Sequence, residues 1–198
     1  MATASQPTKV ITGEVRLSYA YLFEPRAGED GDNAKYSVKV IVPKTDKETL
    51  RKLRQAQIEA IKFGEQGKFN GKKIKRNEKG VPVWGGSWDT IKDGDDSDAE
   101  EDAGSYTFNA SSRNRPGVVD RRKEPITDST EVYSGCYARV SLNAFPYNYQ
   151  GKIGVTFGLN HVQKLRDGEP LGGRSRAEDD FDDLDDDDFE DDEEDDLL

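Results

Sequence analysis

The chain has 198 residues and carries 29 Lys and Arg against 40 Asp and Glu, a formal net charge of −11. Taken as one number, this charge argues against a nucleic-acid partner. The length predicts one globular domain of about 150 residues with flexible additions. The sequence has no apolar run of about 18 residues and no charged-then-apolar leader, so we expect a cytoplasmic protein without a membrane partner.

The acidic charge is concentrated in two segments. Residues 178–198 contain 16 acidic and no basic residues, and residues 93–102 contain seven acidic and no basic residues. The rest of the chain holds 17 acidic and 29 basic residues, a net charge of +12. We therefore predict a flexible N-terminus over residues 1–9, a basic folded domain over residues 10–177 with an acidic loop at 93–102, and a disordered acidic tail over 178–198.

Alternating apolar and polar residues predict two strands near the N-terminus, over residues 13–23 and 35–42. In the first, Val15, Leu17 and Tyr19 are expected on one face, together with Tyr21 and Phe23. A Gly- and Asp-containing turn over residues 25–32 separates the two strands.

One helix follows these strands. Thr45 and Glu48 form a predicted capping box, apolar residues then recur at helical spacing, and Gly64 is expected to end the helix. Residues 68–79 form a basic loop, residues 106–111 predict a third strand, and residues 136–147 and 152–165 predict two more, joined by a hairpin loop at 148–151. Five strands and one helix favour a mainly β fold, a five-stranded Greek-key barrel of the OB type, over a β-sandwich with one helix.

The sequence offers little to an enzyme. One cysteine and one histidine supply no disulfide and no zinc cluster, so Cys136 is expected in the core and His161 in a strand. An EF-hand starting at Asp93 fails, because its sixth and twelfth positions are Asp98 and Gly104. We predict no catalytic residue, no metal, no cofactor and no small-molecule substrate. A metal-dependent nuclease remains an alternative, although its carboxylates would lie in low-complexity segments.

The predicted strand 136–147 carries an unusual second face. Its first face is apolar, whereas its second holds aromatic side chains, polar side chains and Arg139, on which unpaired bases could stack. The alternative is a strand buried on both sides, and the two tryptophans are equally open to a packing role. The candidate stacking residues are Tyr137, Phe145, Tyr147, Tyr149, Trp84 and Trp88.

Basic residues in loops would line the rim of a barrel groove and contact phosphates. The candidates are Lys72, Lys73, Lys75, Arg76, Arg113, Arg115, Arg121 and Arg122, with Lys123 beside them. The acidic tail could occupy the same groove as a DNA mimic, or simply keep the protein soluble. Its apolar residues are candidate contacts for partner proteins: Phe181, Leu184, Phe189, Leu197 and Leu198.

A series of motifs in order resembles a family of bacteriophage single-stranded DNA-binding proteins. The resemblance covers about residues 10–181. It lies in residues 16–25 (RLSYAYLFEP), 35–44 (KYSVKVIVPK), 109–112 (NASS), 115–120 (RPGVVD), 133–136 (YSGC), 158–160 (GLN) and 166–173 (RDGEPLGG).

The resemblance implies an OB fold, sequence-independent binding of single-stranded DNA, a role in phage replication or recombination, and a location in the host bacterial cytoplasm. Family members commonly end in an acidic tail with a terminal aromatic residue that recruits replication enzymes. This chain instead ends in Leu197 and Leu198, with Phe181 and Phe189 inside the tail. The alternative from another class is an acidic interaction protein, a DNA mimic or chaperone-like adaptor that does not bind DNA.

Overall fold

The computed structural model describes residues 7–27 and 34–171. The predicted tail at 178–198, with its apolar residues, lies outside this part of the chain, as do residues 1–6 and most of the predicted turn at 25–32. Among the helices described, none combines the length and the apolar character needed to cross a membrane. The strands are β1 Lys9–Ile11, β2 Val15–Arg26, β3 Lys35–Pro43, β4 Lys92–Asp93, β5 Ser105–Ser112, β6 Gly117–Val119, β7 Tyr137–Tyr149 and β8 Lys152–Arg166.

Five of these strands close into a barrel. Around it the order is β2, β3, β5, β8, β7 and back to β2, and all neighbours are antiparallel except β5 and β8. This is the OB arrangement, which confirms the predicted fold class. The short strands β1, β4 and β6 extend the sheet beside β7, β5 and β8 respectively.

The N-terminal half of β2 contains a bulge that the alternation did not predict. The register with β3 shifts between Ser18 and Tyr21, and Tyr19 has a positive φ of 47°. Because an extra residue reverses the alternation beyond it, Tyr19 is 58% exposed while Leu22 is fully buried. The prediction that Tyr19 and Tyr21 share a face with Val15 and Leu17 is therefore wrong, because both line an outer cavity.

The helix α1, Lys47–Phe63, lies where it was predicted, but both of its ends differ. Its N-cap is Asp46, whose carboxylate accepts a hydrogen bond from the Thr49 backbone N at 3.0 Å. Gly64 stays right-handed, with φ −61°, and the chain continues as a π-helical turn, Gly64–Lys68. Glycine is needed there because a Cβ would lie 2.4 Å from Cζ of the buried Phe69. The helix packs its apolar face against β7 and β1.

The acidic segment, residues 93–102, is folded onto the barrel. It contains the end of β4 and two 3-10 turns, Gly94–Asp96 and Glu100–Asp102, both of which contact β5. Ile41 and Thr107 are a registered pair on the outward side of β3 and β5, yet they are only 3% and 7% exposed. We conclude that this segment covers part of the outer face of these two strands.

Candidate nucleic-acid interface

The two faces of β7 have opposite surroundings. The inward side chains are 3% exposed or less, and they are Ala138, Val140, Leu142 and Ala144. On the outward face Phe145 is 45% exposed, and Tyr149, at the end of the strand, is 68% exposed. The alternative of a strand buried on both sides is therefore wrong at Phe145, and Tyr149, beyond the predicted strand, is exposed as well.

Glycines on β8 determine how the outward rings lie. The register pairs Tyr147 with Gly154, and a Cβ on that glycine would lie 2.5 Å from the Tyr147 hydroxyl oxygen. Likewise, a Cβ on Gly158 would come within 3.4 Å of Phe145 Cε1. Without a side chain at Gly154, the Tyr147 ring can pack against β8, whereas Phe145 is only in ordinary contact distance of Gly158 and is largely exposed. Such rings are suited to stacking on flat apolar groups.

Tyr137, on the same outward side of β7, has different neighbours. The Arg166 guanidinium carbon lies 3.5 Å from its ring centroid, and that of Arg16 lies 5.8 Å away. Arg166 is held in turn by Glu14, with Nη2 and Oε1 2.6 Å apart, and this hydrogen bond lowers the pKa of the Glu14 carboxyl. A ring face of Tyr137 is thus covered by an arginine that is itself paired.

A groove beside β2 was not foreseen from the sequence. It is a cavity of about 520 Å³ between β2, β3 and β5, here called the β2–β3 groove. Arg26 lies over the Tyr21 ring at 5.2 Å from its centroid. The polar and aromatic lining residues are Tyr19, Tyr21, Arg26, Ser37, Lys39 and Asn109. The bulge turns Tyr19 into this groove, and no local feature of the sequence marks that bulge.

A row of small residues connects this groove with the aromatic rings of β7. Tyr21 pairs with Ser37, Ser37 with Ser111, and Ser111 with Gly158, the glycine beneath Phe145. From Tyr21 on β2 to Gly158 on β8 the row crosses three strand spacings, about 14 Å at the usual separation of neighbouring strands. The groove and the rings therefore belong to one continuous outer surface.

The β7–β8 hairpin brings several predicted residues together. Its turn residues Gln150 and Gly151 both have positive φ, 48° and 79°, as in a type I′ turn. Lys72 Nζ donates a hydrogen bond to the carbonyl oxygen of Gly151. A cavity of about 600 Å³ next to the turn is lined in part by Lys73, Lys75, Tyr147, Lys152 and Trp88. Three predicted phosphate contacts thus lie near a predicted stacking residue.

Arg76 belongs to the same basic loop but is already paired. Its two terminal nitrogens donate to the two carboxylate oxygens of Glu65 at 2.8 and 2.9 Å. This bond to Arg76 is the main cause of the lowered pKa of Glu65. A role for Arg76 in holding the loop competes with its predicted role as a phosphate contact.

The tryptophans are part of the packing. Trp88 is 6% exposed and its indole N donates to the Val83 carbonyl oxygen at 3.1 Å, so its prediction as a stacking surface is wrong. Trp84 is half-buried, with its ring 5.5 Å from that of Trp88 and the Arg54 guanidinium carbon 4.4 Å from its own ring centroid. Both tryptophans bury large aromatic surfaces, Trp88 in the core and Trp84 against it.

The remaining predicted arginines divide into two groups. Arg113 and Arg115 are exposed just after β5, and Arg115 lies 5.8 Å from the ring centroid of Phe23, on β2. This first group lies next to β2, one of the strands that form the β2–β3 groove.

The second group lies toward the other end of β7. Arg121 and Arg122 are exposed in the turn after β6, and Arg121 contributes to the lowered pKa of Glu14. Arg139 donates from Nε to the Thr12 carbonyl oxygen at 3.2 Å. It precedes Phe145 by six strand positions, about 20 Å. The structure thus does not bring this group to the aromatic rings.

The two residues considered for enzyme chemistry, Cys136 and His161, take part in packing and backbone hydrogen bonding. Cys136 is fully buried, which raises the pKa of its thiol. His161 Nδ1 accepts a hydrogen bond from the Gly117 backbone N at 3.1 Å. Within residues 7–27 and 34–171, no three His, Cys, Asp or Glu side chains are grouped as metal ligands.

Comparison with known proteins gives matches along most of the chain. The family model described as Enterobacter phage Enc34, ssDNA-binding protein, matches residues 8–198. Protein p50 of Acyrthosiphon pisum secondary endosymbiont phage 1 is 31% identical over 178 residues, covering 89% of this chain and 94% of p50.

Two solved structures have similar folds. The single-stranded DNA-binding protein of bacteriophage Enc34, solved in complex with single-stranded DNA, is 27% identical with a TM-score of 0.65, covering 83% of this chain and 90% of that one. The gp2.5 protein, a single-stranded DNA-binding protein encoded by bacteriophage T7, has a TM-score of 0.56 at 16% identity, covering 83% and 90%. The second likeness supports the fold alone.

Proposed function

The chain belongs to the family of the Enterobacter phage Enc34 single-stranded DNA-binding protein, and from this we propose that it binds single-stranded DNA without sequence preference. We further propose that it coats and protects this DNA during phage replication or recombination in the host cytoplasm. The family is one of DNA-binding proteins rather than of enzymes.

The observation that carries the proposal is the pair of rings lying over glycines. Tyr147 lies against Gly154 of β8, and Phe145, which lies beside Gly158, is 45% exposed and therefore accessible to an unpaired base. Every base has such a face, so stacking tolerates any sequence, whereas a duplex keeps its bases stacked on one another. The preference for single strands therefore follows from the rings.

Cations on both sides of the rings would contact the phosphates. Lys72, Lys73 and Lys75 lie by the hairpin, and Arg26 lines the β2–β3 groove. Phosphate neutralisation releases condensed counterions, so the logarithm of the binding constant should fall linearly with the logarithm of the salt concentration.

The test is fluorescence anisotropy with a labelled single-stranded oligonucleotide, the matching duplex and the matching RNA. We expect single-stranded DNA to bind more tightly than the duplex at every salt concentration, with an affinity that falls as salt rises. Equal affinity for single strand and duplex at low salt would reject the proposal. The RNA measurement determines whether binding extends to both nucleic acids.

For the acidic tail, residues 178–198, we propose competition with DNA for the basic surface and recruitment of partner proteins through its apolar residues. A chain truncated after residue 177 should bind single-stranded DNA more tightly than the full chain, because the tethered competitor is gone. Unchanged affinity would leave recruitment, or solubility alone, as the function of the tail. If the full chain does not bind DNA but does bind basic proteins, the result would instead favour the adaptor alternative.

A further inference from the structure

Lys39 lies at the boundary between two cavities with different charge. It lines the β2–β3 groove, and it also lines a second cavity of about 490 Å³ on the side of the acidic segment. The carboxylates of this second cavity are Asp93, Asp96 and Asp102. A DNA strand in the groove would therefore meet the acidic segment at Lys39.

The contact between Asp102 and Lys39 is a buried ion pair. Lys39 Nζ lies 2.6 Å from Asp102 Oδ2, and the side chains are 16% and 2% exposed. The other carboxylate oxygen, Oδ1, is buried and has no hydrogen-bond partner among the described residues. A buried carboxylate with one bare oxygen is costly, so stability alone is a weak explanation for it.

The acidic segment neutralises a second lysine in the same way. Lys44, which follows β3, pairs with both Asp93 and Asp95, and it also lies 5.2 Å from the ring centroid of Tyr106. Asp96 remains exposed and lines the cavity. Two lysines that could attract phosphate thus have carboxylates as counter-ions, and a further carboxylate adds to the negative potential.

Building on the proposed function, we propose that residues 93–102 form an acidic stop for the DNA strand at Lys39. Asp102 pairs with the Lys39 ammonium group, which would otherwise contact a phosphate. The other carboxylates repel the phosphates of the DNA backbone. The strand therefore ends at Lys39 on this side and runs the other way, over β5 and β8 to Phe145. The segment sets the boundary of the binding site and limits its affinity.

The test is Asp102→Asn, which keeps the shape of the side chain and removes its charge. Releasing one lysine to a phosphate should make the slope of log affinity against log salt steeper by about 0.7, the value per phosphate for single strands. We expect binding to be roughly two- to fivefold tighter, because the released lysine gains one ion pair with a solvent-exposed phosphate. Adding Lys39→Met to this variant should abolish the increase in slope.

A matched control is Glu48→Gln. Glu48 pairs with Lys52 on helix α1, with Oε1 and Nζ 2.6 Å apart, so the change removes the same charge and frees a lysine away from the groove. Its salt slope should equal that of the unchanged chain. An equal increase in both variants would show a general charge effect and overturn the acidic stop.

A second variant keeps the test decisive if Asp102→Asn lowers the melting temperature. Asp93→Asn with Asp96→Asn leaves the buried pair intact and removes two carboxylates of the cavity wall, so it should also bind DNA more tightly. Unchanged or weaker binding in both acidic variants, with the unmodified chain binding normally, would overturn the stop and leave the proposed function intact. Failure of the unmodified chain to bind single-stranded DNA would reject both.

Discussion

The two ends of β7 have the same alternation but different chemical surroundings. Tyr147 faces Gly154 in the register, and Phe145 lies beside Gly158, so no bulky side chain of β8 covers these rings at the two glycines. Tyr137 faces Arg166 in the register and is covered by it. An outward aromatic residue is therefore available to a base only if the neighbouring strand leaves its face open.

The largest expected effect is at the open end. Phe145→Ala should weaken binding of single-stranded DNA by about 1–3 kcal/mol, the usual contribution of one stacked base. Anisotropy titrations against Phe63→Ala provide the control, because Phe63 is an aromatic residue with 52% exposure at the end of helix α1. Equal losses in the two variants would contradict a specific role for the ring over Gly158.

Changing the glycines tests the same end without removing an aromatic residue. Gly154→Ala should displace the Tyr147 ring and weaken DNA binding, with an overpacking cost of about 1–3 kcal/mol in stability. Gly158→Ala adds a Cβ only in ordinary contact with Phe145 and should change both quantities less. The measurement is the DNA affinity and the melting temperature of both variants. Larger losses for Gly158→Ala than for Gly154→Ala would reject the arrangement of rings on glycines.

Tyr137→Ala tests the end of β7 where Arg166 covers the aromatic ring. Because Arg166 covers its ring, we expect a lower melting temperature with little change in DNA affinity. A loss of affinity as large as that of Phe145→Ala, in a variant that melts normally, would mean that DNA displaces Arg166 from the ring.

The smallest effect concerns pH at the covered end. The bond to Arg166 lowers the pKa of Glu14 in the folded protein below its ordinary value of 4.5. A group with a lowered pKa stabilises the fold above its unfolded pKa, and this contribution disappears as the pH falls through the folded pKa. Glu14→Gln should thus lower the melting temperature at neutral pH, and the difference should shrink below a pH of about 4.5. A difference that does not change with pH would assign the effect to packing.

Much of the fold could be predicted from local patterns. The alternation in β3, β5, β7 and β8 and the helical spacing in α1 place the main elements of the barrel within a few residues. The errors lie where packing decides the outcome. At Gly64 the chain continues as a π-helical turn and the glycine leaves room for the ring of Phe69, and Trp88 is buried although it follows a basic loop.

The candidate site was predictable only in part. The aromatic side of β7 and the lysines of the basic loop were found by residue type and spacing, and the structure places Tyr147 with Lys73 and Lys75 around one cavity. The β2–β3 groove was missed because the bulge at Tyr19 reverses the alternation. A single added residue leaves no composition signal.

By itself, the sequence determined the strand and helix periods, the separation of a basic body from acidic segments, and the resemblance to phage single-stranded DNA-binding proteins. These properties depend on residues close together in the chain. The tertiary structure alone decided which aromatic rings remain open and where the acidic segment lies. Pairing of β7 with β8 places glycines beside the β7 rings, and the folded acidic segment places Asp102 against Lys39, pairs separated by 7 to 63 positions in the chain.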